Sequence, residues 1–186
     1  MTYLRAELLK LVSLPSLAWT AGLTLAATGL LRWAVGEAGA LPLTYTQAGF
    51  LIFGVLAVSS EHDGGGQIRT TLLAMPRRLP LLGAKAVTLA LAVLPVAVVT
   101  ALTSGVGGRV IGYLVATTLL AGAVTMLLRH PVPAVLSLLL VYYVASPLLQ
   151  KDWLPGNPAD VGVAVLVWAL AAAVVAAVTF PRRDAA

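Results

Sequence analysis

The sequence predicts an all-α, polytopic membrane protein. It reads as one transmembrane domain over residues 1–186, with six transmembrane helices, an N-terminal interfacial elbow helix and a short cytoplasmic helix. Three observations carry that expectation. Hydrophobic residues make up 60% of the chain and charged residues only 10%, where a soluble domain carries about 25% charge. The mean hydropathy is +0.96. The apolar residues also fall into runs about as long as a bilayer crossing, roughly 20 residues each. So few charges cannot cover a water-facing particle of 186 residues. A soluble enzyme, a disordered tail and a nucleic-acid-binding module are excluded as classes, and no nucleic acid is expected as a partner.

Six segments qualify as spans: Ser16–Val35, Thr44–Ser60, Pro80–Leu102, Val110–Leu128, Val132–Leu149 and Val161–Phe180. Before the first, Leu4, Leu8, Leu11 and Val12 share a helical face while Arg5, Lys10 and Ser13 lie elsewhere. A short helix along the inner leaflet, closed by Pro15, fits that stripe. A frayed extension of the first span is the alternative. Arg5 and Lys10 before an apolar run also resemble the basic region of a secretory signal. The run is long enough to span and more spans follow, so a retained helix is expected. Pro80, Pro95, Pro133 and Pro147 sit in or beside the runs, where neighbouring helices can satisfy the carbonyls they free.

Orientation follows from the basic residues. With the N-terminus in the cytoplasm, Arg5, Lys10, Arg69, Arg77, Arg78, Lys85, Arg129, Arg182 and Arg183 lie inside, while Arg32, Arg109 and Lys151 lie outside. Nine of the 12 Lys and Arg residues are then on the inner side. The positive-inside rule places both termini in the cytoplasm, as an even number of spans requires. The chain has 0 Cys, so disulfides, thiolate metal sites and cysteine nucleophiles are out of reach.

Catalytic chemistry is hard to place. Gly64-Gly65-Gly66 is followed by Gln67-Ile68-Arg69, not by the Lys-Ser or Lys-Thr of a phosphate loop. The two histidines, His62 and His130, fall in different loops. No catalytic residue, metal site or cofactor is expected, and the chain is not expected to be an enzyme. Ionisable side chains keep to loops and span ends, with Lys85 about one turn inside its span, where it can snorkel. Ion-coupled carriers usually place such groups within the bundle. A polar line does lie within the first span, where Thr20, Thr24 and Thr28 recur at four-residue spacing and Arg32 continues it. Residues at that spacing share a face. The line suits a passage or a helix–helix contact, or hydroxyls turned back on their own backbone. Gly108 and Gly112 form a small-xxx-small pair, which close helix packing would explain.

The longest stretch outside the spans, Glu61 to Leu79, faces the cytoplasm and holds Glu61, Asp63, Arg69, Arg77 and Arg78. Its glycines permit a sharp exit from the second span. Residues Gln67 to Met75 can form a short helix with Ile68, Leu72 and Met75 on one face, stopped by Pro76. Lipid headgroups or a protein partner could equally receive it.

This stretch resembles the membrane (permease) subunit of the type-2 ABC transporter family, of the bacterial exporter type. Members commonly show a Glu after the second span, a Gly, an Ile-Arg-Thr-Thr-Leu-like run, Pro-Arg-Arg and then Ala-Lys. Those elements fall here on Glu61, Gly66, Ile68-Arg69-Thr70-Thr71-Leu72, Pro76-Arg77-Arg78 and Ala84-Lys85. Arg5 to Leu11 is similar to the family's elbow helix, Leu128-Arg129-His130 to its fourth–fifth span junction, and Phe180 to Ala185 to its basic tail. The resemblance implies a permease subunit in a bacterial cell membrane. It would pair with a second permease subunit, identical or not, and dock a separate cytoplasmic ABC ATPase that hydrolyses the ATP. Gln67 to Met75 would be the coupling helix, with Ile68, Leu72 and Met75 as apolar anchors, Arg69, Arg77 and Arg78 as surface contacts, and Glu61 with Gly66 anchoring the loop. The chain departs from the family in its brief outer segments, Thr103 to Arg109 and Gln150 to Asp160, which imply a reduced outer gate. An ion-coupled carrier or channel, and a non-transporting accessory or immunity subunit, remain the alternatives.

Overall fold

A computed structural model describes residues 8–11, 13–36, 40–60, 78–149, 165–172 and 174–175. Helix accounts for 93% of them and no strand occurs among them, as the length and uniformity of the apolar runs require. Five long helices follow in chain order: α1 (Pro15–Val35), α2 (Ala40–Ser59), α3 (Arg78–Ser104), α4 (Arg109–Leu128) and α5 (Pro131–Leu149). Residues 8–11 and 13 are helical ahead of α1, and residues 165–172 are helical beyond α5. For the first five predicted spans the observed limits differ by at most a few residues, while both ends of the sixth, Val161–Phe180, lie outside the described residues. The expected coupling stretch, residues 61–77, lies outside the described residues.

Local chemistry sets the boundaries. Leu14 is extended, with φ −78° and ψ 111°, and Pro15 opens α1, a position where the missing N–H costs nothing. Gly36 closes α1 at φ 72°, its N–H bonded to the Arg32 carbonyl at 3.0 Å, a left-handed cap that suits glycine. Only residues 105–108 separate α3 from α4, and Gly105 takes φ 69° there. Arg129 and His130 alone join α4 to α5, and Arg129 adopts φ 56°. For a residue with a Cβ that conformation costs about 1–2 kcal/mol. Its N–H caps α4 on the Thr125 carbonyl at 2.8 Å. Such short turns force antiparallel neighbours.

The bundle is built on α2 and α4, which pack most extensively on each other. Against that pair lie α1 on α2, α3 on α4, and α5 across both, while α3 also touches α1. The apolar centre comes from Leu43, Phe50, Leu51 and Val55 of α2, Val93 and Ala97 of α3, Leu114 and Ala121 of α4, and Ala134 of α5, all nearly or wholly buried. A helix apolar all round belongs in such a centre.

Small residues let the helices approach. A Cβ at Gly54 would strike the Thr118 carbonyl and the Ala121 methyl, so α2 and α4 meet backbone to backbone. A Cβ at Gly49 would overlap the Thr24 side chain of α1. A Cβ at Gly122 would press on Leu89 and Val58 at 3.1 and 3.3 Å, closer than ordinary van der Waals contact. In a bilayer, where lipid tails match apolar side chains, this kind of packing is a main source of helix association. Gly108 and Gly112, expected as a packing pair, have nothing within 4 Å of where a Cβ would stand. The outer surface is instead a coat of large apolar side chains, including Trp19, Leu23 and Trp33 of α1 and Leu102, Leu136 and Leu148 of α3 and α5.

Among the described residues, three segments are long and apolar enough to cross a membrane: Gly83–Ser104, Arg109–Leu128 and Pro131–Leu149. Leu43–Ser59 is apolar but shorter. With 21 residues, α1 has the length, about 31 Å, but its threonines, tryptophans and Arg32 dilute its apolar character.

Candidate functional site

The interior polar groups converge on one region. Gln47 is the sole amide in α2 and is wholly buried. Its Oε1 accepts a hydrogen bond from the Tyr113 hydroxyl of α4 at 2.8 Å. That bond spans 66 residues of sequence and ties the two central helices together. One turn along α4 from Tyr113 is Thr117, also wholly buried, whose hydroxyl faces both Tyr113 and Tyr142 of α5. Tyr143 turns the other way around the same junction and donates to the Thr44 carbonyl at 2.7 Å, with the Tyr45 carbonyl at 3.1 Å.

The backbone of α5 explains how two adjacent tyrosines both reach inward. Residues Val141–Ala145 form a π-helical turn, and the Ser146 N–H bonds to the Val141 carbonyl five residues back. Pro147 follows directly. It has no N–H to offer the Tyr143 carbonyl four residues earlier, and its ring crowds that carbonyl. Widening the turn relieves the crowding and shifts the helical register, so Tyr142 is buried against α4 while Tyr143 reaches α2. Single π-turns of this kind recur at functional positions.

Satisfaction within this cluster is uneven. The Tyr113 hydroxyl is met by Gln47 Oε1, and Tyr143 has carbonyl partners. Among the described residues the Tyr142 hydroxyl and Thr117 Oγ1 are occluded yet complete no hydrogen bond, although they lie close together. Thr100 Oγ1 of α3 and Arg32 Nη1 of α1 are in the same position. An unmet buried polar group costs about 1–3 kcal/mol.

The threonine line expected on α1 is present as a line. Thr20, Thr24 and Thr28 each donate to the carbonyl four residues back, on Ser16, Thr20 and Thr24, at 2.7 Å in every case. Thr24 and Thr28 are buried, and Thr24 packs on Gly49 of α2. The hydroxyls are therefore met within α1, and the line lies where α1 touches α2.

The expected coupling residues Glu61, Gly66, Gln67, Ile68, Arg69, Thr70, Thr71, Leu72, Met75, Pro76 and Arg77 fall outside the described residues, while Arg78 is the first residue of α3. The polar cluster of α2, α4 and α5 is the site that the sequence reading passed over. Two signals could have found it: a lone amide in a 20-residue apolar helix, and paired tyrosines four and five residues ahead of a proline.

The fully buried polar side chains among the described residues are eight threonines, two serines, Gln47 and the tyrosines Tyr113 and Tyr142, and the half-buried Arg32 adds one occluded guanidinium nitrogen. No grouping of three or more His, Cys, Asp or Glu that could hold a metal occurs among them. Lys10, Arg109 and Arg129 lie near helix ends or in turns, and Lys85 lies about two turns into α3. No family model, curated protein or solved structure matches the chain.

Proposed function

We propose that the chain is the permease subunit of an ATP-driven exporter of the ABC-2 type, with six spans and both termini in the cytoplasm of a bacterial cell. The observation that carries this reading is the Glu61–Arg78 sequence between α2 and α3: a glycine-broken exit, an Ile-Arg-Thr-Thr-Leu run and Pro-Arg-Arg. The described interior supports it: its fully buried polar side chains include no Asp, Glu, His, Lys or Arg, the groups that ion-coupled carriers usually place within the bundle. Energy then comes from a cytoplasmic ABC ATPase, and hydrolysis belongs to that partner.

In this mechanism the Gln67–Met75 helix seats Ile68, Leu72 and Met75 in a groove of the ATPase, while Arg69, Arg77 and Arg78 hold its rim. Closure of two ATPases on ATP moves two such helices together. The rigid connection from Arg78 into α3 passes the movement to the bundle as a shift of helices. Tight packing through Gly54 and Gly122 suits a body that moves as a unit, since packed cores switch between discrete arrangements rather than deform.

Co-expression with a candidate ABC ATPase tests the reading. The double substitution Arg69→Glu and Arg77→Glu is expected to lower co-purification of the ATPase by about tenfold or more, the loss of two charge-assisted contacts at about 1–3 kcal/mol each. Undiminished co-purification and undiminished stimulation of ATP hydrolysis would sink it.

A further inference from the structure

We infer that the Tyr142–Thr117 pair, backed by the Tyr113–Gln47 hydrogen bond, is a hydration site between α2, α4 and α5 that the structure captures closed, and that water enters it when α5 moves away from α4. The argument starts from the two orphaned oxygens. Tyr142 and Thr117 are 2% and 0% exposed, and their hydroxyls complete no hydrogen bond among the described residues. Phenylalanine and valine would fill the same space without that penalty. Hydroxyls without a protein partner at a helix junction favour any arrangement in which a guest with donor and acceptor capacity meets them, and water is the smallest such guest.

A second, independent observation names the element that opens. Of the three long apolar segments, Pro131–Leu149 is the least embedded, with 17% of it buried against 56% of Arg109–Leu128. It also carries the π-turn at Val141–Ala145, at the level of the orphaned pair. A turn of π-helix beside Pro147 is a place where a helix bends or shifts register at low cost. The Gln47–Tyr113 bond keeps α2 and α4 together as α5 moves, so the opening falls on the side of Tyr142 and Thr117. The inference needs the bundle to lie in a bilayer but does not need an ATPase partner, so it can fail while the proposed function stands, and the reverse.

The absence of native cysteine makes the test direct. In the full chain reconstituted in liposomes, Thr117→Cys and the lipid-facing Leu136→Cys, a position 62% exposed, are labelled with methyl methanethiosulfonate. The cysteine thiolate, which forms only where water reaches the sulfur, attacks this reagent to give a methyl disulfide and release methanesulfinate. The site predicts that Thr117→Cys reacts about tenfold faster than Leu136→Cys or more, although it is the more deeply buried of the two. Equal or slower labelling at Thr117→Cys overturns the inference. Tyr142→Phe, measured separately by thermal unfolding, is expected to leave the midpoint unchanged or raise it, because it deletes an unmet hydroxyl. A lowered midpoint would mean that the hydroxyl has a partner in the closed bundle, and would overturn the inference as well.

Discussion

At the scale of single residues, glycine positions decide how closely the helices meet. Gly54 lies over the Thr118 carbonyl, so a methyl there has backbone in its way. Gly112 on α4 has open space around it. Gly54→Ala is therefore expected to destabilise the bundle by about 1–3 kcal/mol, the usual cost of overpacking a filled interface. Gly112→Ala, which gains helix propensity without a clash, is expected to be neutral or to stabilise by about 0.5–1 kcal/mol. Thermal unfolding in detergent separates the two. Sequence spacing pointed to Gly108 and Gly112 because it shows only which glycines share a face. Which face meets another helix depends on the fold, and that is why Gly49, Gly54 and Gly122 were not singled out. The threonines were legible as a line, since their spacing is a property of one helix. Their bonds to the carbonyls of Ser16, Thr20 and Thr24 needed side-chain rotamers that spacing does not fix.

At the scale of elements, the pairing of α2 with α4 rests on shape at Gly54 and on one polar tie, Tyr113 to Gln47. Replacing Gln47 with Leu leaves the Tyr113 hydroxyl unmet and is expected to cost about 1–3 kcal/mol. Tyr113→Phe in that background should recover part of the loss. A double-mutant cycle measured by unfolding in detergent should return a coupling of about 0.5–1.5 kcal/mol, within the range for hydrogen bonds between membrane helices. Additive losses would show that the two side chains do not act as a pair. The helices themselves were readable from the sequence because long apolar runs admit no other structure in lipid. The π-turn of α5 was not, although its cause, Pro147, was visible. A proline marks where a helix is disturbed but not whether it kinks, ends or widens by a residue. The consequence, two adjacent tyrosines reaching two different helices, exists only in three dimensions.

For the molecule as a whole, the distribution of charge ties fold to function. The fully buried polar side chains of the described interior are hydroxyls and one amide, so the proposed permease would draw its energy from a partner. The basic residues gather on one side of the predicted topology, and the richest of them in sequence pattern fall between α2 and α3. The account therefore turns on what the Gln67–Met75 segment touches. Ile68→Cys in this otherwise cysteine-free chain, co-expressed with a candidate ABC ATPase carrying single cysteines along its surface groove, gives the most direct measurement. The account predicts an oxidative crosslink in intact membranes that forms at a few adjacent groove positions and changes in yield when ATP is added. An Ile68→Cys thiol that never crosslinks to the ATPase, and that instead reacts with an impermeant maleimide applied outside intact cells, would contradict it.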